Sequence, residues 1–397
     1  MMMINRIADE VRNWNLNNFW PNFETTAFAL YNETTVYLFN HPNYQSQEGY
    51  KILEWSTAFI GDSLILFEEY PTAIINLEYH STYENLYSII IHELFHGNQY
   101  LKGEKRFPNE LIGITYPIDR MNIALRTAER ECLYKAVFAE NEDEKNENIK
   151  KFVAYRKKRS NLIGENFQYE TAIETTEGPA WYVEWKAYCD KSSLTKDEIL
   201  AQYGKELLDP LVSSVHLRRS CYSTGLFMCI LLDYYMPEWK DKFFEYNGSL
   251  YDLLKLHFNV EDCVVEDTVN RPDIDEVVRT VIKDRESALN SYEEKQGYHL
   301  WIEGEVKIRT LDPMNIVSFE DRLLHKNYLK LVIQQQDYLF QQPIVTYIGD
   351  KNLFFPRKVH FVMSSKPDVK ENAIHVQGVG DIKGEYEIKD NHIFIRV

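Results

Sequence analysis

Residues 88–97 read S-I-I-I-H-E-L-F-H-G and carry His92, Glu93 and His96 in the pattern H-E-x-x-H. Positions i and i+4 of an α-helix project from the same face, so both imidazoles can reach one metal ion while Glu93 lies beside the open coordination positions. Burying two imidazoles and a carboxylate among isoleucines costs free energy unless a partner satisfies them, and a divalent metal would satisfy all three. The stretch therefore predicts a hydrolytic zinc site.

The flanking sequence predicts a helix here independently of the histidines. Ser81 and Glu84 have the spacing of a capping box, in which each side chain bonds the other residue's backbone N–H. The apolar residues around the motif are Leu86, Ile89, Ile90, Ile91, Leu94 and Phe95. We expect a helix that is buried on most sides.

The composition is that of a soluble globular protein. The chain has 397 residues, of which 44% are hydrophobic, and this is enough for two or three domains. The formal net charge of −17 argues against a nucleic-acid partner, since phosphate binding needs clustered Lys and Arg. No apolar stretch approaches the roughly 20 residues of a membrane span. The N-terminus carries no secretory signal.

The cysteines favour a reducing compartment. The chain has five cysteines, scattered without C-x-x-C spacing, which fits reduced thiols better than a disulfide framework. We expect a cytoplasmic protein in which no cysteine binds the metal.

Hydrophobic periodicity predicts an α+β fold in two parts. Residues 1–290 open with a helix and a small sheet, whose strand at 72–80 runs into the H-E-x-x-H helix. That strand either borders a cleft where a substrate backbone adds as an extra strand or is an ordinary sheet strand. Residues 298–397 alternate apolar and polar positions over about seven segments, the first of them at residues 301–309, which predicts a small all-β, sandwich-like C-terminal domain. Long helices are predicted over 119–140, 145–163 and 167–189.

The third of these helices supplies further carboxylates, in the segment E-T-T-E-G-P-A-W-Y-V-E-W. Glu174 and Glu177 are one turn apart, and Glu184 lies two turns beyond Glu177 on the same face. Two histidines and one glutamate with an open position form the catalytic type of zinc site. By spacing alone either Glu174 or Glu177 could be the third ligand, and Gly178-Pro179 could kink or restart the helix.

A polar segment at 215–222, V-H-L-R-R-S-C-Y, opens onto an apolar helix. Its candidates for an electrophilic group beside the metal are His216, Arg218, Arg219 and Tyr222, and their spacing selects none of them. The two arginines could instead hold a substrate carboxylate or form structural ion pairs.

Three segments, in this order, resemble the gluzincin zinc metallopeptidases, the clan that includes thermolysin-like enzymes and zinc aminopeptidases. Residues 92–96, H-E-L-F-H, resemble the family's zinc helix. Residues 177–184, E-G-P-A-W-Y-V-E, resemble its E-G-x-A-x-Y-x-E helix. Tyr222 with Gly225 resembles the Y-x-x-G segment that carries the catalytic tyrosine. The resemblance covers residues 72–235 and implies a gluzincin-like catalytic domain.

The resemblance also implies a role for each site residue. The implied ligands of Zn²⁺ are His92, His96 and Glu177. Glu177 is then preferred over Glu174 as the third ligand. Glu93 would be the general base, Tyr222 would donate to the oxyanion, and Glu184 would orient a ligand histidine.

The chain departs from the family at two points. The separation of His96 from Glu177 is far longer than in those aminopeptidases, so an inserted helical pair is expected between them. The G-x-M-E-N motif that grips a free amino group is absent upstream of His92, so aminopeptidase specificity does not carry over. Endo- or exopeptidase action, side-chain preference and oligomeric state stay open.

The leading hypothesis is a zinc-dependent metallopeptidase, a hydrolase that acts on a peptide or protein. The first alternative is a non-catalytic peptide- or protein-binding protein that keeps the metal for stability. Glu93 argues against it, because a purely structural site does not need this extra carboxylate. The second alternative is a zinc hydrolase of a non-peptide substrate, which fold and site alone do not distinguish from a peptidase.

Overall fold

The computed structural model describes residues 2–44, 46–258, 263, 265, 271–349 and 352–397. The chain forms two compact units. The first contains Met1–Pro108 and Met121–Asn270, and the second contains Asn109–Arg120 and Arg271–Val397. Within the described ranges, none of the helices combines the length and the hydrophobicity that crossing a membrane requires.

The first unit opens with a helix and a five-stranded sheet. Their bounds are α1 (Met2–Val11), β1 (Ala27–Tyr31), β2 (Thr35–Phe39), β3 (Tyr50–Glu54), β4 (Ser63–Phe67) and β5 (Tyr70–Asn76). The strand order is β3-β2-β1-β5-β4, and the pairing is antiparallel except between β1 and β5. The strand predicted at 72–80 is thus the internal strand β5, and it ends where a 3₁₀ turn, Leu77–Tyr79, begins. An added backbone could pair with this sheet at β4 or β3, which are its edges.

Most of the remaining described residues of the first unit are helical, and the second unit contains α3 and α12. The helices of the chain are α2 (Tyr83–Leu101), α3 (Glu110–Ile114), α4 (Arg120–Phe138), α5 (Glu142–Ile163), α6 (Glu165–Lys191), α7 (Lys196–Tyr203), α8 (Lys205–Leu208), α9 (Pro210–Val215), α10 (Leu217–Tyr235), α11 (Leu250–Lys255) and α12 (Pro272–Glu293). Helices α4, α5 and α6 correspond to the three long helices predicted from periodicity. The pair α4 and α5 separates α2 from α6 along the chain.

Helix α2 begins one residue later than its sequence predicts. The N-cap is Thr82, whose backbone is extended at φ −112° and ψ 156° and whose hydroxyl accepts from the N–H of Asn85. The predicted capping box of Ser81 and Glu84 is therefore wrong. Serine and threonine both serve as N-caps, so the sequence pattern does not distinguish two adjacent hydroxyls.

Helix α6 runs without a break through Gly178-Pro179. Pro179 lies inside the helix, where it lacks one backbone N–H donor, yet the helix continues from Glu165 to Lys191. The seven-residue separation of Glu177 and Glu184 is therefore that of a single helix, with both side chains on one face.

The second unit is built on strands from residues 298–397. Their bounds are β6 (Tyr298–Glu303), β7 (Val306–Leu311), β8 (Ile316–Phe319), β9 (Arg322–His325), β10 (Leu329–Ile333), β11 (Gln336–Phe340), β12 (Ile344–Ile348), β13 (Pro356–Met363), β14 (Asp368–Lys370), β15 (Ala373–Val376), β16 (Gly380–Lys383), β17 (Glu385–Lys389) and β18 (His392–Arg396). They form one seven-stranded sheet, β17-β18-β6-β13-β12-β9-β8, and two three-stranded sheets, β11-β10-β7 and β14-β15-β16. One face of the large sheet shares a hydrophobic core with both small sheets, and α12 packs on the other face.

The prediction of a mainly helical part followed by an all-β C-terminal region is confirmed. The described residues contain more strands than the seven segments predicted, because one segment contains two strands and because no segment was predicted at β8, β9, β11, β14 and β16. Residues 301–309, predicted as one strand, divide into β6 and β7 at Gly304, which has φ +131°. A positive φ of this kind favours glycine and bends the chain.

The limits of the two units differ from the predicted boundary between 290 and 298. Helix α12 packs on β8 and β9, and Ile114 of α3 belongs to the hydrophobic core of the β unit. Residues 109–120 and 271–290 therefore group with the strands. An amphipathic helix shows that it has an apolar face, but its sequence does not say which surface covers that face.

Two buried histidines make the second unit sensitive to acid. His325 on β9 contacts the Thr346 hydroxyl through Nε2 at 2.9 Å, and burial lowers its pKa to about 4. Burial likewise lowers the pKa of His360 on β13 to about 3. Both imidazoles are neutral when folded and bind protons near pH 6.5 when unfolded, so stability is full above about pH 6.5 and is lost as pH falls toward the folded pKa values.

We expect His325→Gln to reduce the loss of stability between pH 7 and pH 5. The His325 contribution to that loss is about 2 kcal/mol, because the unfolded imidazole protonates in this interval and the folded one does not. Urea unfolding of the full chain at both pH values measures it. His216→Gln, which changes an exposed imidazole, is the control. An unchanged pH dependence in His325→Gln would contradict the prediction.

Candidate metal centre

Helix α2 carries His92, Glu93 and His96 through the interior of the first unit. The α2 side chains in the core of that unit include Leu86, Ile90, Ile91, Leu94 and Phe95. The side chains of His92 and Glu93 are buried and that of His96 is nearly so. Helix α6 packs along α2, and α10 packs along α6. Candidate residues from three helices therefore meet in one place.

Two glycines set the distance between α6 and α10. A Cβ on Gly178 would lie 2.5 Å from the Cα of Gly225, and a Cβ on Gly225 would lie 2.5 Å from the Cα of Gly178. The two backbones thus touch, which only glycine at both positions allows. Glu177 immediately precedes the first glycine and Tyr222 lies one turn before the second, so this contact brings the two side chains together.

Gly178→Ala is expected to destabilise the first unit and to separate Glu177 from Tyr222. The added methyl group meets backbone rather than a movable side chain, so the free energy of unfolding should fall by at least the roughly 1–3 kcal/mol typical of overpacking. Chemical unfolding and zinc titration measure the two effects. Gly349→Ala is the matched control, because the nearest atom to a Cβ there is 3.9 Å away. Equal stability of the two variants would contradict the close approach.

Three donor atoms converge between α2 and α6. His92 Nε2 and His96 Nε2 are 3.1 Å apart. Glu177 Oε2 lies 3.3 Å from His96 Nε2 and 3.7 Å from His92 Nε2. Tetrahedral ligands at 2.0–2.2 Å from a zinc ion are about 3.3 Å from one another. The cluster of His92, His96 and Glu177 therefore has the dimensions of a metal site.

Neighbouring groups decide which imidazole nitrogens carry protons. Gln99 donates its amide N–H to the Thr176 carbonyl at 2.6 Å, so its amide oxygen is the atom 2.7 Å from His96 Nδ1. Because an amide oxygen only accepts, Nδ1 of His96 must donate. Glu184 Oε2 lies 2.8 Å from Nδ1 of His92, a close contact without hydrogen-bond geometry, and its negative charge favours a proton on that nitrogen. With Nδ1 carrying the proton, each ring in its neutral form would offer its Nε2 lone pair to a metal ion, beside the Glu177 carboxylate oxygen.

The electrostatics of the cluster also favour a bound positive charge. Burial lowers the pKa of His92, but the neighbouring carboxylates of Glu177 and Glu184 outweigh it and raise that pKa well above its usual value. The pKa of His96 is raised in the same way, chiefly by Glu177 against burial. Burial raises the pKa of Glu177, and the two imidazoles lower it well below its usual value. Two imidazoles and one carboxylate are ligands that suit zinc.

Glu93 and Tyr222 lie beside this cluster. Burial is the largest influence on Glu93 and raises its pKa, while the two imidazoles pull it down. The ring centroid of Tyr222 is 6.4 Å from that of His92, and the charges of Glu177 and Arg218 both act on its hydroxyl. Burial raises the pKa of Tyr222 far above neutral pH, so the phenol keeps its proton. The site thus has a carboxylate that can accept a proton and a hydroxyl that can donate one.

The three other candidates from the polar segment have different surroundings. Arg218 donates from Nη2 to Glu177 Oε1 at 2.8 Å, and so binds the oxygen that does not face the imidazoles. Arg219 pairs with Glu206 at 2.9 Å, and 67% of its side chain is exposed. His216 is exposed at the start of α10. Of the three, the structure brings Arg218 to the cluster.

Glu174 belongs to a buried ion network rather than to the histidine cluster. Its carboxylate pairs with Arg156, and Arg159 forms hydrogen bonds of 2.6–2.9 Å with Glu129 and Glu170. All these side chains are fully buried. A possible second ligand group, Glu170, Glu174 and Cys221, lies in this network. Buried arginines already pair with its carboxylates, so this group offers a metal ion no free negative charge.

Gln99 is the site residue that the sequence analysis missed. It lies three residues after His96 and seven after His92, which places all three on one face of α2. A neutral polar residue one turn after His96, on the face that carries both histidines, is the signal that would have found it.

Comparison with known protein families, with curated proteins and with solved structures gave no match to this chain.

Proposed function

We propose that this chain is a zinc-dependent metallopeptidase whose first unit is a gluzincin-like catalytic domain. The observation that carries the proposal is the convergence of two imidazole Nε2 atoms and the Glu177 carboxylate, with Glu93 buried beside them. A site that served only stability would need the three ligands but not Glu93. The proposed substrate is a peptide or protein.

The donor set supports zinc in its catalytic form. His92, His96 and Glu177 provide three ligands and leave one position of a four-coordinate ion open. A bound Zn²⁺ would polarise a carbonyl group and lower the pKa of a water molecule toward about 7.

The surrounding side chains would handle the protons of peptide hydrolysis. Glu93 would take a proton from the attacking water as the water oxygen bonds to the carbonyl carbon. It would then pass that proton to the leaving amine as the C–N bond breaks. Tyr222 would donate its hydroxyl proton in a hydrogen bond to the carbonyl oxygen, where negative charge develops. Arg218 would keep one oxygen of Glu177 engaged and leave the other for the metal.

The test is hydrolysis of a mixed peptide library by the zinc-loaded chain, with every product read by mass spectrometry. A sample stripped of metal by a chelator and a sample to which zinc is restored are the controls. New fragments with the zinc-loaded and restored samples are expected, and their ends would show whether the enzyme trims termini or cuts internally.

Two outcomes would redirect the proposal. An untouched library with one zinc ion per chain would favour the non-catalytic binding protein or a hydrolase of non-peptide substrates. Absence of zinc binding under conditions where the chain is folded would overturn the proposal altogether.

A further inference from the structure

We infer that Gln99 is a positioning residue that sets the spacing of His96 and Glu177, the two proposed ligands that come from different helices. The inference rests on the proposed metal centre. It adds that the Gln99 side chain holds the histidines on α2 and Glu177 on α6 at a constant distance. Gln99 contacts neither substrate nor reacting atoms in this account, and it acts through the residues on either side of it.

Gln99 is an uncharged polar residue in the interior of the first unit. The Gln99 side chain is fully buried, and an amide in such a place costs free energy unless both of its ends are hydrogen bonded. Its oxygen lies 2.7 Å from His96 Nδ1, and its nitrogen donates to the Thr176 carbonyl at 2.6 Å. Both ends of the amide therefore bond to the metal centre. The oxygen bonds to His96, a proposed ligand, and the nitrogen bonds to Thr176, the residue before the proposed ligand Glu177.

Gln99 and Glu184 together connect α2 to α6 on both sides of the cluster. Glu184 of α6 reaches back to His92 at 2.8 Å, and Gln99 of α2 reaches across to Thr176. The two α2 positions are seven residues apart, about 10 Å, and the two α6 positions are eight apart, about 12 Å. Since the order of contacts reverses between the helices, α2 and α6 run antiparallel with the metal cluster between the two connections.

The two connections differ in what they do. Glu184 brings a negative charge directly to an imidazole, which raises the basicity of that ligand. Gln99 is neutral and changes no charge, so its contribution lies in geometry: it holds the His96 ring with Nε2 toward Glu177 and keeps the Thr176–Glu177 peptide at a constant distance from α2. Losing such a hydrogen-bonding partner of a metal ligand typically weakens metal binding 10- to 100-fold.

The experiment compares zinc affinity in three variants of the full chain. Gln99→Leu removes both hydrogen bonds, whereas Gln99→Glu keeps an acceptor for His96 and loses the donor to Thr176. Asn98→Leu is the matched control, because Asn98 is an equally buried neighbour whose Oδ1 accepts from the N–H of Glu24, away from the metal cluster. Zinc dissociation constants are measured by competition with a chromophoric chelator, and the melting temperature of each metal-free variant is recorded beside them.

We expect Gln99→Leu to bind zinc 10- to 100-fold more weakly than the wild type and Gln99→Glu to fall between them. Asn98→Leu is expected to lower the melting temperature while leaving the zinc dissociation constant unchanged. A purely structural role for Gln99 would give both leucine variants the same behaviour.

Distinct outcomes overturn the inference and the proposed function. If wild type and Gln99→Leu bind zinc equally tightly, the inference is wrong and the metal centre stands. If the folded wild type binds no zinc, the proposed function is wrong. If Gln99→Leu does not fold, Gln99→Glu decides, because affinity equal to that of the wild type would exclude the connection to Thr176.

Discussion

Glu93→Gln is expected to abolish peptide hydrolysis while leaving zinc bound. The amide is nearly the same size as the carboxylate but cannot accept a proton from water, and general-base catalysis typically contributes about 10²- to 10⁴-fold. Glu93 is not one of the three converging donors, so its replacement leaves the ligand set intact. Steady-state hydrolysis of the best peptide from the library, together with metal analysis of the same preparation, measures both quantities.

Glu84→Gln provides the matched control for this variant. Glu84 lies in the first turn of the same helix, two turns before the cluster, and the substitution is chemically identical. Its turnover and zinc content should equal those of the wild type. Hydrolysis by Glu93→Gln at the wild-type rate would remove Glu93 from the chemistry. Loss of zinc from Glu93→Gln would instead assign Glu93 to the ligand set.

Glu177→Ala and Glu174→Ala are expected to have opposite effects, although the two residues are one helical turn apart. Glu177→Ala removes one of three metal donors, so zinc binding should be lost while the chain stays folded. Glu174→Ala removes the nearer carboxylate of buried Arg156 and leaves Glu129, 3.7 Å from Nε of Arg156, as the other. Breaking a buried ion pair costs about 3–5 kcal/mol, so we expect a loss of stability of up to this size. Zinc binding by the folded fraction should be retained.

Zinc titration and urea unfolding of both variants test this pair of expectations. The result that would contradict them is the reverse pattern, in which Glu174→Ala loses the metal and Glu177→Ala loses stability. The variants Glu177→Ala, Glu174→Ala and Gln99→Leu each test one role. These roles are metal ligand, member of the buried ion network and connection between α2 and α6.

The pattern of the sequence was sufficient to predict the helices that carry the site. The H-E-x-x-H stretch lies among apolar residues at helical spacing, and α2 forms there because local propensity and burial agree. The long helices after it follow the same rule. The errors lie at positions where local rules do not distinguish alternatives, such as the two hydroxyls at Ser81 and Thr82 or the fold-back at Gly304.

The part of the site that depends on residue type and on spacing along one helix could be predicted from the sequence. The histidines are one turn apart on one helix, so their convergence follows from helical geometry alone. Spacing does not distinguish Glu177 from Glu174. In the structure Glu174 pairs with Arg156 on another helix, so it does not join the histidine cluster. Arg218 and Arg219 are adjacent in sequence, yet one binds Glu177 and the other Glu206.

By itself, the sequence determined which residues could serve a metal centre and which helices would carry them, because i and i+4 relations are local and need no partner. Only the tertiary structure decided which carboxylate joins the histidines, which arginine reaches it, and that Gln99 connects His96 to Thr176. These contacts depend on the distance between helices that are far apart in the chain. That distance is set in part by the touching backbones of Gly178 and Gly225, and no local pattern encodes it.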